Sequence, residues 1–157
     1  MNYFLILIKY MMVIALSTFS LHSFANEIDG EYIAGYQVTY IYKPLNEQSN
    51  VGKTDVFSMV VKDGEIKTIV VEKDPAFNRA KTTFDEVIID PKAKTARGPI
   101  KQIRMERGNR IVIEMHLDIS FGEKTFVGAV DIELKNAGGR TYNKVVEKGV
   151  FEGIKIQ

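Results

Sequence analysis

His116 is flanked at two-residue spacing by Glu114 and Asp118. In an extended chain, residues i and i+2 point to the same side, about 6.6 Å apart. Pairing of this segment with the next one places Asp131 opposite His116 and Glu133 opposite Glu114. Carboxylate oxygens and one imidazole nitrogen are the ligand types of a hard or borderline cation. Glu114, His116, Asp118 and Asp131 are therefore the candidate metal ligands. The plainer reading of the same residues is the solvated face of a half-buried strand. A hydrolytic relay is not expected here. Ser120 and Asp118 share the strand of His116, too widely spaced and badly aimed for a hydrogen-bonded triad. No G-x-S-x-G elbow occurs either.

A second candidate is aromatic. Tyr36, Val38, Tyr40 and Tyr42 alternate with Gln37, Thr39 and Ile41, the pattern of a strand with one aromatic face. In a barrel, Tyr36, Tyr40 and Tyr42 would line a cavity and offer hydroxyls to a ligand. In a sandwich they would be core. Phe77 and Phe84, in an irregular stretch between Asp74 and Asp85, are placed as a lid over the opening. Val51-Gly52-Lys53-Thr54 ends like a phosphate loop, but Glu47 stands where the motif requires its first glycine. Nucleotide binding is not expected.

The elements that must position these groups read as strands. Asp63-Gly64 is a hairpin signal, since a type I′ turn needs positive φ at both central residues. A two-residue loop there pairs Lys62 with Glu65, Val61 with Ile66 and Phe57 with Val70. Asp74-Pro75 has the cap-then-proline order that can start a helical turn, so Asp74 to Asp85 reads as a brief helix or a structured loop, and at most one short helix is expected. Around Gly108-Asn109, a three-residue turn is expected, with Ile103 opposite Ile113 and Met105 opposite Ile111. Ile111 to Phe121 alternates without interruption. A loop over Gly122–Thr125 then sets Phe121 against Phe126 and Met115 against Ile132. Gly138-Gly139 marks a further turn, followed by two strands, Tyr142–Val146 and Val150–Ile156. Gly128 and Ala129, in mid-strand, supply room inside a barrel or mark a bend. The fold class expected is all-β: an antiparallel meander of about eight or nine strands, forming a small barrel or a sandwich.

Residues 1–25 read as a secretory signal peptide. Lys9 is followed by an apolar run, and Ser23-Phe24-Ala25 gives the small-residue cleavage pattern. The run is interrupted and short for a spanning helix, which needs about 20 apolar residues. Residues 26–157 form one exported domain, periplasmic or secreted, and not membrane-spanning after processing. Acidic and basic residues balance in it, so nucleic acid is not an expected partner. The chain has no cysteine, which removes disulfides, thiolate chemistry and a lipoprotein anchor. It also has no tryptophan for the aromatic girdles of an outer-membrane barrel. With one histidine left after processing, the chain is poorly equipped for catalysis. The expectation is a non-enzymatic exported binding protein without a cofactor. Its partner is either a small hydrophobic ligand in a β-cavity or another protein of the envelope or a host.

Overall fold

Period-two patterning dominates the chain, and nine strands result among the described residues: β1 (Gly30–Ile41), β2 (Thr54–Lys62), β3 (Glu65–Val71), β4 (Lys81–Thr83), β5 (Ile88–Asp90), β6 (Thr95–Glu106), β7 (Asn109–Phe121), β8 (Thr125–Ala137) and β9 (Arg140–Lys155). Among the described residues, one helix, α1 (Pro75–Arg79), lies between β3 and β4. The structure is a computed structural model and describes residues 27–42 and 50–157. The expected signal peptide and residues 43–49 of the polar loop lie outside the described residues.

All pairings are antiparallel, in the order β3-β2-β1-β9-β8-β7-β6-β4, with β5 also on β6. The β1–β9 pair joins the ends of the meander. The ring is thus complete except between β3 and β4, and the single sheet curls into a half-barrel. It is not a sandwich. The short connection through α1 spans the gap, and the helix packs against both β3 and β6.

The gap is tied from both sides. Asp74 caps the helix, its Oδ1 accepting from the Phe77 N–H at 2.9 Å, with Pro75 in the first turn as expected. The Asn78 side-chain amide mimics a strand residue, accepting from Val71 N–H at 2.9 Å and donating to Val71 O at 2.8 Å. This satisfies part of the open β3 edge. From β6, buried Gln102 donates to Phe77 O at 3.3 Å and to Thr82 Oγ1 at 3.2 Å.

One end of the half-barrel is packed solid. Tyr32, Phe57, Phe121, Phe126 and Phe151 form a continuous aromatic cluster, with ring centroids between 5.1 and 6.3 Å apart. Tyr32 donates to Ile28 O at 2.6 Å. Burial, with Asp29 nearby, pushes its phenol up to about 12. The room at Gly128 is taken by this cluster: a Cβ there would lie 2.3 Å from the Phe151 ring. Gly128 is therefore a seat for an aromatic ring and supplies no cavity space.

Three registers differ from those expected. The chain turns at Arg107-Gly108, both with positive φ (49° and 79°), a two-residue loop that pairs Glu106 with Asn109. Gln102 then faces Ile113, Arg104 faces Ile111, and Ile103 and Met105 turn outward. Glycine is favoured at the second central position of a type I′ turn, so the turn begins one residue before Gly108. In the Asp63-Gly64 hairpin, Lys62–Glu65 and Val61–Ile66 pair as expected. A bulge at Lys67 then moves Phe57 opposite Val71. The two strands expected over Tyr142–Val146 and Val150–Ile156 merge into one long strand, β9, which ends at Lys155 and absorbs its irregularities as register shifts. The pairings Phe121–Phe126, Met115–Ile132, His116–Asp131 and Glu114–Glu133 are as expected.

Candidate functional site

Above the aromatic floor, the inner face of the sheet encloses a cup of ≈ 1150 Å³, beyond the ~300–1,000 Å³ of ordinary ligand cavities. Its wall is aliphatic: Ile69 and Val71 from β3, Ile100 from β6, Ile111, Ile113, Met115 and Leu117 from β7, and Val130, Ile132 and Leu134 from β8. Strand alternation directs all of these inward. Yet Ile69, Val71, Ile111, Leu117, Ile132 and Leu134 are only partly buried, because among the described residues no second layer covers them.

The end opposite the floor is polar. Lys53, Asp55, Lys73, Asp74, Arg104, Glu106 and Glu147 line the cavity at this mouth. The carboxylates are each engaged by the chain itself. Glu147 accepts from the Tyr36 hydroxyl at 2.5 Å, Asp55 from Val56 N–H at 2.7 Å, and Asp74 from the helix start. Glu106 Oε1 lies 2.6 Å from Arg104 Nε. The contact is close but misdirected, and the buried Arg104 Nε makes no hydrogen bond. Lys53 donates to the neutral Asn50 side chain at 2.6 Å.

The tyrosine stripe divides. Tyr36 lines the cup, its ring lying where a Cβ on Gly149 would approach to 2.1 Å. A bulge at Thr39 then reverses the facing of the strand. Ile41 turns inward, and Tyr40 lies 40% exposed on the outside. Tyr42 stays outside the cup as well, with the Lys144 ammonium 5.1 Å from its ring centre and donating to its hydroxyl at 3.1 Å. Phe77, on α1, lines the cup. Phe84 packs against the core outside it.

Burial, followed by the hydrogen bond to Glu147, holds the Tyr36 phenol well above the ordinary tyrosine value. A raised folded value means that the unfolded chain ionises first as pH climbs past about 10. The stability Tyr36 contributes is therefore fully present below that pH and is progressively lost as pH rises toward the folded value. Tyr36→Phe is expected to cost about 1–3 kcal/mol at neutral pH, the range for a hydrogen bond to a charged acceptor. Its stability should also fall less steeply than wild type above pH ~10, as urea melts at several pH values will read.

The histidine patch forms on the outer face. His116 Nε2 lies 2.9 Å from Glu114 Oε1 and 3.8 Å from Glu133 Oε2. Of the four expected metal ligands, only Glu114 and His116 converge, and Glu133 completes the group. Asp118 is drawn to Arg97 at 2.9 Å and Asp131 to Lys148 at 2.6 Å. Lys135 bonds Glu133 and lies 3.5 Å from Glu114, so a cationic group already sits among these carboxylates. Lys135 first, then His116, hold the Glu133 carboxyl below its usual range. A depressed value contributes stability above the unfolded pKa, which is lost as pH falls through the folded one. Glu133→Gln is thus expected to lose up to ~1 kcal/mol at pH 7, since solvent screens this surface group. The difference from wild type should close as pH drops below ~4, measured by denaturant melts.

Sequence reasoning did not select Lys53, Lys73, Gln102, Arg104, Glu106 or Glu147 for the cup. The last four depend on register. The x-Gly order at Arg107-Gly108 was the available signal for β6, while the bulges that orient β1 and β9 leave no mark in residue type. Compared with protein-family models, curated proteins and solved structures, the chain gives no match.

Proposed function

We propose that this chain is an exported, non-enzymatic binding protein that holds an apolar small molecule in the cup. The observation that carries the reading is the row of inward-facing aliphatic residues, Ile111, Leu117, Ile132 and Leu134, left half-buried around a closed aromatic floor. A contiguous uncovered apolar surface is costly in water and marks a binding surface. Concave, largely apolar shape with a few polar groups at one end is the usual form of a small-molecule site. Native mass spectrometry of the processed protein from its producing cells tests this reading. A retained lipid-sized mass supports it, and repeated isolation of ligand-free protein under gentle conditions opposes it.

A second reading rests on the outer face. Ile33 (39% exposed) pairs with Ile154 (51%), and Val127 and Val150 share that face on β8 and β9, with the exposed Glu152 between Val150 and Ile154. This patch suits a protein partner in the envelope or on a host. Its test is Ile33→Lys with Ile154→Lys, which should abolish capture of such a partner while leaving cup binding intact.

A further inference from the structure

We propose that the ligand of the cup is a single-chain amphiphile with an anionic head, its chain on the aliphatic wall and its head at the mouth facing Lys53, Lys73 and Arg104. This rests on the reading of the cup as a ligand site. The mouth carries four carboxylates and three cationic groups, and partnering is what separates the two signs. Every carboxylate there already accepts a hydrogen bond from the chain or sits against Arg104. Among the described residues, Lys53 has only the neutral Asn50 as partner, and Lys73 lines the cavity without an ion pair. Arg104 is ion-paired with Glu106, 2.6 Å from its Nε, but that buried Nε makes no hydrogen bond. Donors are what the mouth has left over. Unmet buried donors are costly, and a carboxylate or phosphate oxygen satisfies both a guanidinium and an ammonium with charge-assisted bonds.

The cup contributes the other half of the specificity. Among the described residues of the wall, the polar side chains below the charged mouth are already spent, Gln102 on Phe77 and Thr82 and the Tyr36 hydroxyl on Glu147. A ligand polar along its whole length would lose its hydration there without compensation. An alkyl chain with a single polar end matches the distribution.

The test uses a neutral, environment-sensitive dye and three competitors of one chain length, bearing a carboxylate, an alcohol or a primary amine, each below its micelle concentration. The carboxylate is expected to displace the dye at about tenfold lower concentration than the alcohol, with the amine weakest. In a Lys53→Gln, Lys73→Gln double variant, the carboxylate-to-alcohol ratio should fall toward one. Both lysines are exposed, so the substitutions cost little stability. Raising the ionic strength on wild type should shrink the same ratio. Equal displacement by all three heads, or a ratio that neither the double variant nor salt alters, overturns the anionic head while leaving the cup as a site. Absence of dye binding to wild type overturns the cup itself.

Discussion

Replacing Phe126 by alanine destabilises the chain by about 3–5 kcal/mol, the range for deleting a fully buried phenylalanine. Phe126 is 1% exposed and its ring meets Tyr32, Phe57, Phe121 and Phe151. These five rings join β1, β2, β7, β8 and β9 at one end of the half-barrel. Its loss removes apolar burial and leaves a void that the neighbours cannot fill without leaving their own contacts. Against a total stability of about 5–15 kcal/mol, this one change is severe. The neighbouring Val127 points to solvent and is 51% exposed, so Val127→Ala should stay within ~0.5 kcal/mol. Urea melts of the two variants check the pair. Similar losses from both would mean that the floor is not the stabilising centre.

Leu134→Lys should lower the affinity for a neutral apolar dye at least ~10-fold, or about 1.4 kcal/mol. Leu134 is an inner-wall residue of β8, half-buried because the cup is open above it. An ammonium there must either be desolvated, which is costly without a counter-charge, or reach toward the mouth and carry water into the cup. Either outcome removes dry apolar surface from the ligand. Because the site is half-open already, folding should survive the change, with circular dichroism as the check. Ser120→Lys, on the outer face of β7, should leave dye fluorescence as in wild type. Equal loss from both substitutions would show that the dye reports general surface charge and not the cup.

The sequence carried the fold far and the site only part of the way. Alternation in β7 and β8 was unambiguous, so the pairing of His116 with Asp131 and the facing of Met115 and Ile132 followed from one loop length. Asp74-Pro75 carried the cap chemistry of a helix start but left a structured loop open, and the helix formed. What could not be read were single-residue insertions. A period of two means that one extra residue exchanges the two faces of everything beyond it. The bulge at Thr39 carried Tyr40 out of the cup, and the placement of the Arg107-Gly108 turn brought Gln102 and Arg104 in. The closure of the sheet onto β9, which separates a cup from a sandwich, depends on contacts between the ends of the chain that no local pattern encodes. The outer His116 group shows a further limit. Composition placed carboxylates around an imidazole, but only the geometry showed that Lys135, Arg97 and Lys148 divide those carboxylates among themselves.

The most direct measurement of the central claim is the dependence of affinity on chain length. Displacement of a neutral dye from wild-type protein by a homologous series of straight-chain alcohols reports it without any charge at the head. Each methylene buried in the cup adds about 0.8 kcal/mol, so affinity should rise roughly fourfold per carbon and then level off once the space above the aromatic floor is filled. Affinity that does not depend on chain length, or no displacement at any length, would contradict the account.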